Sequence, residues 1–293
     1  MEPDPFTHST AFCYRPPAPG DPPTALVLLN SATPATPASL AFLRAVWRCA
    51  SLVVAADGAA GRLFYALLRE AGCGEAPRAG AEAEPAPLAL LRAFLPRAIC
   101  GDFDSLDARA AAFYGAQGVA LLPAPEDQDS TDLEKCLAYL AAQQAAPASA
   151  SAPAPAAPRP FNVVALGPCG GRLDHEAQNL NCLLTRGAPF AGLALLSEHS
   201  VARALPAGDS RVRVAAPFEG PTCGLLPLCG PTTLTTRGLQ WDVEEWPSAF
   251  GGRVSTSNRV RSAAEGARVR ASAPLVWTVC VNAAAVVAEG GAA

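Results

Sequence analysis

Residues 99–106 read Ile-Cys-Gly-Asp-Phe-Asp-Ser-Leu, so Asp102 and Asp104 stand one residue apart directly after a short apolar run. Two carboxylates at that spacing repel each other and resist burial. A chain keeps such a pair where a cation sits between them. Oxygen-only ligation suits a hard cation such as Mg2+, usually held by one or two carboxylates plus substrate phosphates. An Asp-x-Asp turn alone is commonplace; recurrence gives this one weight.

Polar groups recur at equivalent points elsewhere. Asp57 follows the apolar run Leu52–Ala56, and Asp127, Asp129 and Asp132 follow Val119–Leu122. Arg172 and Asp174 follow Phe161–Leu166 and a glycine-rich turn. Each run reads as a strand buried on both faces, as does Ala25–Leu29. Helical spacing predicts helices over 39–49, through Leu63, Phe64, Leu67 and Leu68, over 88–95 and 107–117, through Leu133, Cys136, Leu137 and Leu140, and on to Leu184. Thr131 and Glu134 have capping-box spacing, which puts Asp132 in a first helical turn. Leu193–Leu196 adds a strand. Alternating strands and helices imply a parallel sheet, whose ligands bind outside the carboxyl ends of the strands. The polar clusters therefore belong on one edge of one sheet. Several aspartates and an arginine there suggest a metal–phosphate site. Gly-x-x-x-x-Gly-Lys-Ser/Thr is absent, which excludes a P-loop, and Asp104 stands where the Asp-Phe-Gly of a protein kinase has glycine.

The 293 residues suffice for two ordinary domains. After residue 197 short alternating runs and turn clusters such as Gly230-Pro231 and Gly251-Gly252 predict a small all-β unit, with no strong helix. The expected division is a flexible lead-in over 1–24, an α/β catalytic domain over 25–196 and a β-sandwich over 197–293. Low-complexity insertions are expected near 72–87 and 143–160. Trp241 and Trp277 are expected in the core of the β unit. Net charge is −4 with no basic block, so no nucleic-acid partner is expected. No apolar run is long enough to span a bilayer, and the first residues lack the pattern of a secretory signal. Ten cysteines without a Cys-x-x-Cys pair read as thiols in a reducing compartment, hence a cytoplasmic expectation.

Together these stretches resemble the thiamin pyrophosphokinase family. The matching segments, in order, are 56–60 with Arg62-Leu63, 101–105, 127–132 with Lys135-Cys136, 170–175, 223–227, 236–241, 254–258 and 274–278. The resemblance implies transfer of a diphosphate from ATP to the hydroxyl of thiamin, giving thiamin diphosphate and AMP. It implies an α/β catalytic domain followed by a β-sandwich, in a homodimer whose active site lies between subunits. Asp102, Asp104 and Asp132 look like Mg2+ ligands, and Arg172 and Asp174 like catalytic positioning groups. Gln128, like Arg172 and Asp174, looks like a nucleotide- and substrate-positioning group, and Asp57 and Thr131 look like substrate-binding residues. Trp241, Ser255, Ser257 and Asn258 fall in the stretches associated with thiamin. Asp132 or Asp174 could accept the hydroxyl proton. Two departures stand out: Arg259-Val260-Arg261 follows Asn258 where the family often carries an aromatic residue, and Ala59 replaces the second glycine of Asp-Gly-Gly. Two alternatives are a diphosphokinase for another hydroxymethyl heterocycle such as a pterin, and a non-catalytic thiamin diphosphate or nucleotide sensor.

Overall fold

The computed structural model describes residues 6–31, 34–73, 85–127, 129–145 and 159–291. Most of the two expected insertions, and Gln128, lie outside the described residues. The chain opens with β1 (Phe6–Ser9) and a single 3-10 turn, Ala11–Cys13. It continues through β2 (Thr24–Leu28), α1 (Pro37–Trp47), β3 (Leu52–Ala56), α2 (Asp57–Glu70), α3 (Pro85–Ala93) and β4 (Ala98–Gly101). Then come α4 (Ala108–Ala116), β5 (Ala120–Pro123), α5 (Asp132–Ala145), β6 (Asn162–Leu166), α6 (Leu173–Thr185) and β7 (Gly192–Leu196). The rest is β8 (Ser200–Leu205), β9 (Gly208–Arg213), β10 (Glu219–Leu226), β11 (Thr232–Arg237), β12 (Trp246–Ser248), β13 (Ser255–Arg259), β14 (Ala267–Ala271), β15 (Leu275–Val281) and α7 (Ala283–Gly291).

The apolar runs make a parallel sheet in the order β7-β6-β2-β3-β4-β5. Helices cover it, so β2 is buried at every residue. α2 turns Leu63, Phe64, Leu67 and Leu68 into the core, as their spacing predicts. α1 starts on a reciprocal cap between Thr36 and Ser39, with Pro37 in its first turn.

The all-β half does not begin a separate sheet. β8 pairs antiparallel with β7, and β15, β10 and β13 follow, so one ten-stranded sheet runs through both halves. The second sheet, β1-β9-β14-β11-β12, packs on the antiparallel part. Val212, Leu234 and Val269 from it share one core with Leu225, Trp277 and Val279.

Three expectations are corrected. The lead-in is built into the fold over its described part. β1 pairs parallel with β9, Cys13 and Tyr14 are buried, and the Tyr14 ring stacks on Phe218 at 5.1 Å. Its partners lie some 200 residues later, where no local pattern announces them. A helix does occur late in the chain: α7 lies on α1, and a β-carbon on Gly290 would come within 2.6 Å of that of Ala45. Trp277 is buried as expected of a core residue, but Trp241 is 55% exposed. Among the described residues no helix is long and apolar enough to cross a membrane. All ten cysteines are free, six of them buried.

Candidate active site

The parallel strands end on one edge, and the chain fans out from β2. It visits β3, β4 and β5 on one side and β6 and β7 on the other. The reversal between β2 and β6 opens a crevice at the carboxyl ends. Gly167, just past β6, meets Ser31, just past β2. It takes φ +85°, and a β-carbon there would lie 2.3 Å from the Ser31 hydroxyl. Only glycine lets the two strand ends approach so closely.

Asp57 ends β3 and starts α2, while Asp102 and Asp104 follow β4, the neighbouring strand. One carboxylate oxygen from each of the three lies within 4.8 Å of the others. Asp57 is 1% exposed. It accepts N–H groups from Gly58 (2.5 Å), Phe103 (3.1 Å) and Ser105 (3.4 Å). Phe103 takes φ 67°, a left-handed step that costs a non-glycine residue on the order of 1 kcal/mol. With that step in the Asp-Phe-Asp turn, two successive odd-numbered amides, Phe103 and Ser105, both reach Asp57.

Asp132, in the first turn of α5, completes the acidic group. Gly101 lies between it and Asp57: a β-carbon on Gly101 would be 2.8 Å from the Asp57 side chain and 3.2 Å from an Asp132 oxygen. Burial, then the Asp57 charge, pushes the Asp132 carboxyl up to about 7. Burial also pushes Asp57 up, against the pull of the Gly58 and Ser105 amides. Asp102 goes the other way, held below the usual carboxylate range by the Asp104 N–H. Lys135, one turn along α5, is the cation that favours ionised Asp102 and Asp132. The tight carboxylate group is thus Asp57, Asp102 and Asp104, with Asp132 against Asp57. Asp57 belongs to it because β3 is the neighbour of β4, a fact about sheet order that spacing does not carry.

Asp102, Asp104, Asp132, Lys135 and Arg172 line one cleft of about 370 Å3. Arg172 and Asp174, at the start of α6, form an exposed ion pair, with Arg172 Nε 3.1 Å from Asp174 Oδ1. The pair holds the Asp174 carboxyl low and the Arg172 guanidinium high. Half of the capping box expected at Thr131 is made: its N–H donates to Glu134 Oε2 at 3.0 Å, and its hydroxyl donates to the same oxygen at 3.1 Å. Glu134 is held in turn by Arg186 at 2.7 Å. The start of α5, and with it Asp132, is therefore fixed from α6.

The residues expected near the heterocycle form a second group. Trp241, Ser255 and Asn258 line a separate cavity of about 250 Å3 with Thr236, Val243 and Trp246. Asn258 is buried and its amide clamps the Trp241 backbone: Nδ2 donates to the Trp241 carbonyl (2.9 Å) and Oδ1 accepts the Trp241 N–H (3.2 Å). It positions the exposed indole. Ser257 is exposed and left-handed, at φ 58°, and does not line this cavity.

Residues 43–189 match the family model for the thiamin pyrophosphokinase catalytic domain, and residues 209–276 match that for the thiamin pyrophosphokinase vitamin B1 binding domain. The chain belongs to the thiamin pyrophosphokinase family. Thiamine pyrophosphokinase 3 of Oryza sativa subsp. japonica is 32% identical over 260 residues, covering 88% of this chain and 87% of that protein. Thiamine pyrophosphokinase 1 of Arabidopsis thaliana is 32% identical over the same length, covering 88% and 86%. The fold superposes on the crystal structure of yeast thiamin pyrophosphokinase with a TM-score of 0.75 at 21% identity, over 97% of this chain and 93% of that one.

In this member of the thiamin pyrophosphokinase family, sequence reasoning assigned no role to Lys135, Ser31 or Gly167, and gave Glu134 only its capping-box place beside Thr131. Lys135 and Glu134 sit on the helix that carries Asp132, a signal available from helical spacing. Ser31 and Gly167 meet only once β2 and β6 are known to be neighbours.

Proposed function

We propose that this chain transfers the diphosphate of ATP to the hydroxyl of thiamin, giving thiamin diphosphate and AMP. The observation that carries the reading is the carboxylate group of Asp57, Asp102, Asp104 and Asp132 on the catalytic sheet edge, in a chain that also matches the vitamin B1 binding domain. That second match favours thiamin over a pterin as acceptor. Intact acidic residues favour an enzyme over a sensor.

The donor set is all carboxylate oxygen, which fits Mg2+. Asp102 and Asp104 would hold it, with Asp57 and Asp132 completing the acidic surround. A bound Mg2+ neutralises phosphate charge during transfer. Arg172 at the cleft rim would exchange Asp174 for a phosphate oxygen, a charge-assisted contact its planar fork suits. Lys135 would balance the remaining charge on the carboxylates. Asp132, the carboxyl raised towards neutrality, or Asp174 would take the proton of the attacking alcohol. Thr131 is assigned to keeping α5 in register, and Gln128 stays assigned to the nucleotide.

Trp241 and Ser255 would hold the heterocycle, Asn258 supporting Trp241. Ser255 opens β13, first in the long sheet, whereas the carboxylates follow β3 and β4, eighth and ninth. At about 4.8 Å per strand, β13 and β4 are roughly 38 Å apart along the sheet. That separation supports a homodimer in which one subunit provides the phosphate chemistry and its partner the heterocycle contacts. Ten free thiols support a reducing, cytoplasmic setting.

The test is AMP formation from ATP, Mg2+ and thiamin, with a hydroxymethylpterin as the competing acceptor. Thiamin-dependent AMP supports the proposal; AMP with the pterin alone, or none with either, refutes it.

A further inference from the structure

A second cleft, of about 1110 Å3, adjoins the acidic one. Asn30 and Ser105 line both and form the ridge between them. One face of α2 makes the floor: Gly58, Gly61, Arg62, Tyr65 and Arg69 recur at helical spacing, opposite the face that packs Leu63, Phe64, Leu67 and Leu68 into the core. The same helix begins at Asp57. It therefore joins the buried carboxylate at its first residue to two guanidiniums further along.

The charge of this second cleft differs from that of its neighbour. It carries Arg62 and Arg69 and one acid, Asp107. Asp107 is already engaged: its Oδ1 accepts the Tyr65 hydroxyl at 2.7 Å and the N–H groups of Arg109 and Ala110 at the start of α4. Arg62 is exposed, and its Nε donates to Asn30 Oδ1 at 2.6 Å. That bond fixes the guanidinium at the ridge while using one of its five N–H donors. Among the described residues no carboxylate pairs with Arg62. Glycine at 58 and 61 keeps the floor low beside it; a β-carbon on Gly58 would come within 2.2 Å of the Asn30 amide.

We infer that Arg62 is a positioning residue for polyphosphate: the chain of phosphates held at the carboxylates crosses the Asn30–Ser105 ridge, and its far phosphoryl group is taken by Arg62, with Arg69 beyond it. The inference rests on the diphosphotransfer reading. A carboxylate group with its cation covers only part of a triphosphate. An arginine fork across a shared ridge is the matching partner for the oxygens left over.

The experiment uses the full chain with Mg2+ and three probes: inorganic tripolyphosphate and thiamin diphosphate by titration calorimetry, and ATP in steady-state kinetics. Arg62→Gln keeps a polar side chain of similar reach without the charge, and Arg62→Lys keeps the charge without the fork. Loss of a charge-assisted hydrogen bond predicts roughly tenfold or weaker tripolyphosphate binding in Arg62→Gln. It also predicts a matching rise in KM for ATP, an unchanged KM for thiamin and an intermediate Arg62→Lys. Arg62 is exposed, so Tm should hold; should the glutamine variant not fold, Arg62→Lys and Arg69→Gln carry the same readouts. Weakening of thiamin diphosphate alone would assign the cleft to the product's phosphates, and weakening of tripolyphosphate to the nucleotide's. Wild-type binding of both probes by Arg62→Gln, or a rise confined to KM for thiamin, overturns the inference. Should the wild type form no AMP, the diphosphotransfer reading fails, while the effect of Arg62→Gln on tripolyphosphate binding still decides the fate of the cleft.

Discussion

Replacing Asp132 by asparagine should stabilise the metal-free protein while abolishing its activity. The Asp132 carboxyl sits at about 7 in the fold, against 3.8 for the ordinary group, because of burial and the neighbouring Asp57. Between those values the folded chain holds a proton that the unfolded chain has released. Stability therefore falls as pH rises from about 4 to about 7 and stays reduced above that. A separation of about three pH units corresponds to at most roughly 4 kcal/mol at full ionisation, which solvent screening of this half-buried group lowers to on the order of 2 kcal/mol. Asparagine is neutral throughout, and its amide can donate to Asp57 as the protonated acid does. The stability difference between Asp132→Asn and wild type should thus grow by on the order of 1–2 kcal/mol between pH 5 and pH 8. Urea denaturation in chelator at both pH values measures it. A variant less stable than wild type at pH 8, or a difference that does not change with pH, would refute the account of Asp132 as a carboxylate kept in the fold against its own electrostatics.

Three further outcomes are expected. Asp102→Asn and Asp104→Asn should each lose most turnover at saturating Mg2+ with Tm unchanged, because the proposed function gives these exposed or half-buried carboxylates to the cation and not to the core; unchanged kcat in both would remove them from the site. Gly101→Ala should cost about 1–3 kcal/mol and most of the activity, since its β-carbon would drive Asp57 from Asp132; a wild-type melting curve and rate would show that the carboxylates need no such approach. Inactive Asp102→Asn chains mixed with inactive Trp241→Ala chains should regain activity through heterodimers that hold one intact composite site. Verified heterodimers that remain inactive would place the whole site within one chain.

The strands buried on both faces were legible because parallel strands under helices need no polar alternation. Val27, Val54 and Ala165 have no exposed surface at all. β1 was not legible: four residues ahead of a proline-rich stretch acquire their meaning from β9, far along the chain. α7 escaped because an alanine-rich run carries little helical periodicity, and its partner α1 lies at the other end of the sequence. Within the site, the edge on which the acids lie follows from their recurrence after strands. Which acids converge does not, since Asp57 joins Asp102 and Asp104 only through the order of β3 and β4. Trp241 shows the converse limit. A tryptophan in an all-β unit reads as core, but Asn258, seventeen residues on, clamps its backbone and leaves the ring outside.

The continuous sheet bears directly on how the proposed reaction is organised. Two domains joined by a linker could fold one site onto the other, and a bound substrate could draw them together. Here one sheet runs from β7 to β8 to β15 to β10 to β13, with register shifts along β10, so the distance between Ser255 and the carboxylates is set by strand spacing. Closing a roughly 38 Å gap within one chain would require breaking the sheet, and with it the core that Leu205, Leu225 and Trp277 fill. A second copy related by a two-fold axis, as proposed above, would close the same gap with no rearrangement and make two equivalent sites. On this reading rigidity works in favour of the chemistry: phosphate groups and heterocycle contacts are each held on unyielding strand ends. Turnover then depends on the dimer interface staying closed, which predicts an activity that falls away with dilution below the dimer's dissociation constant.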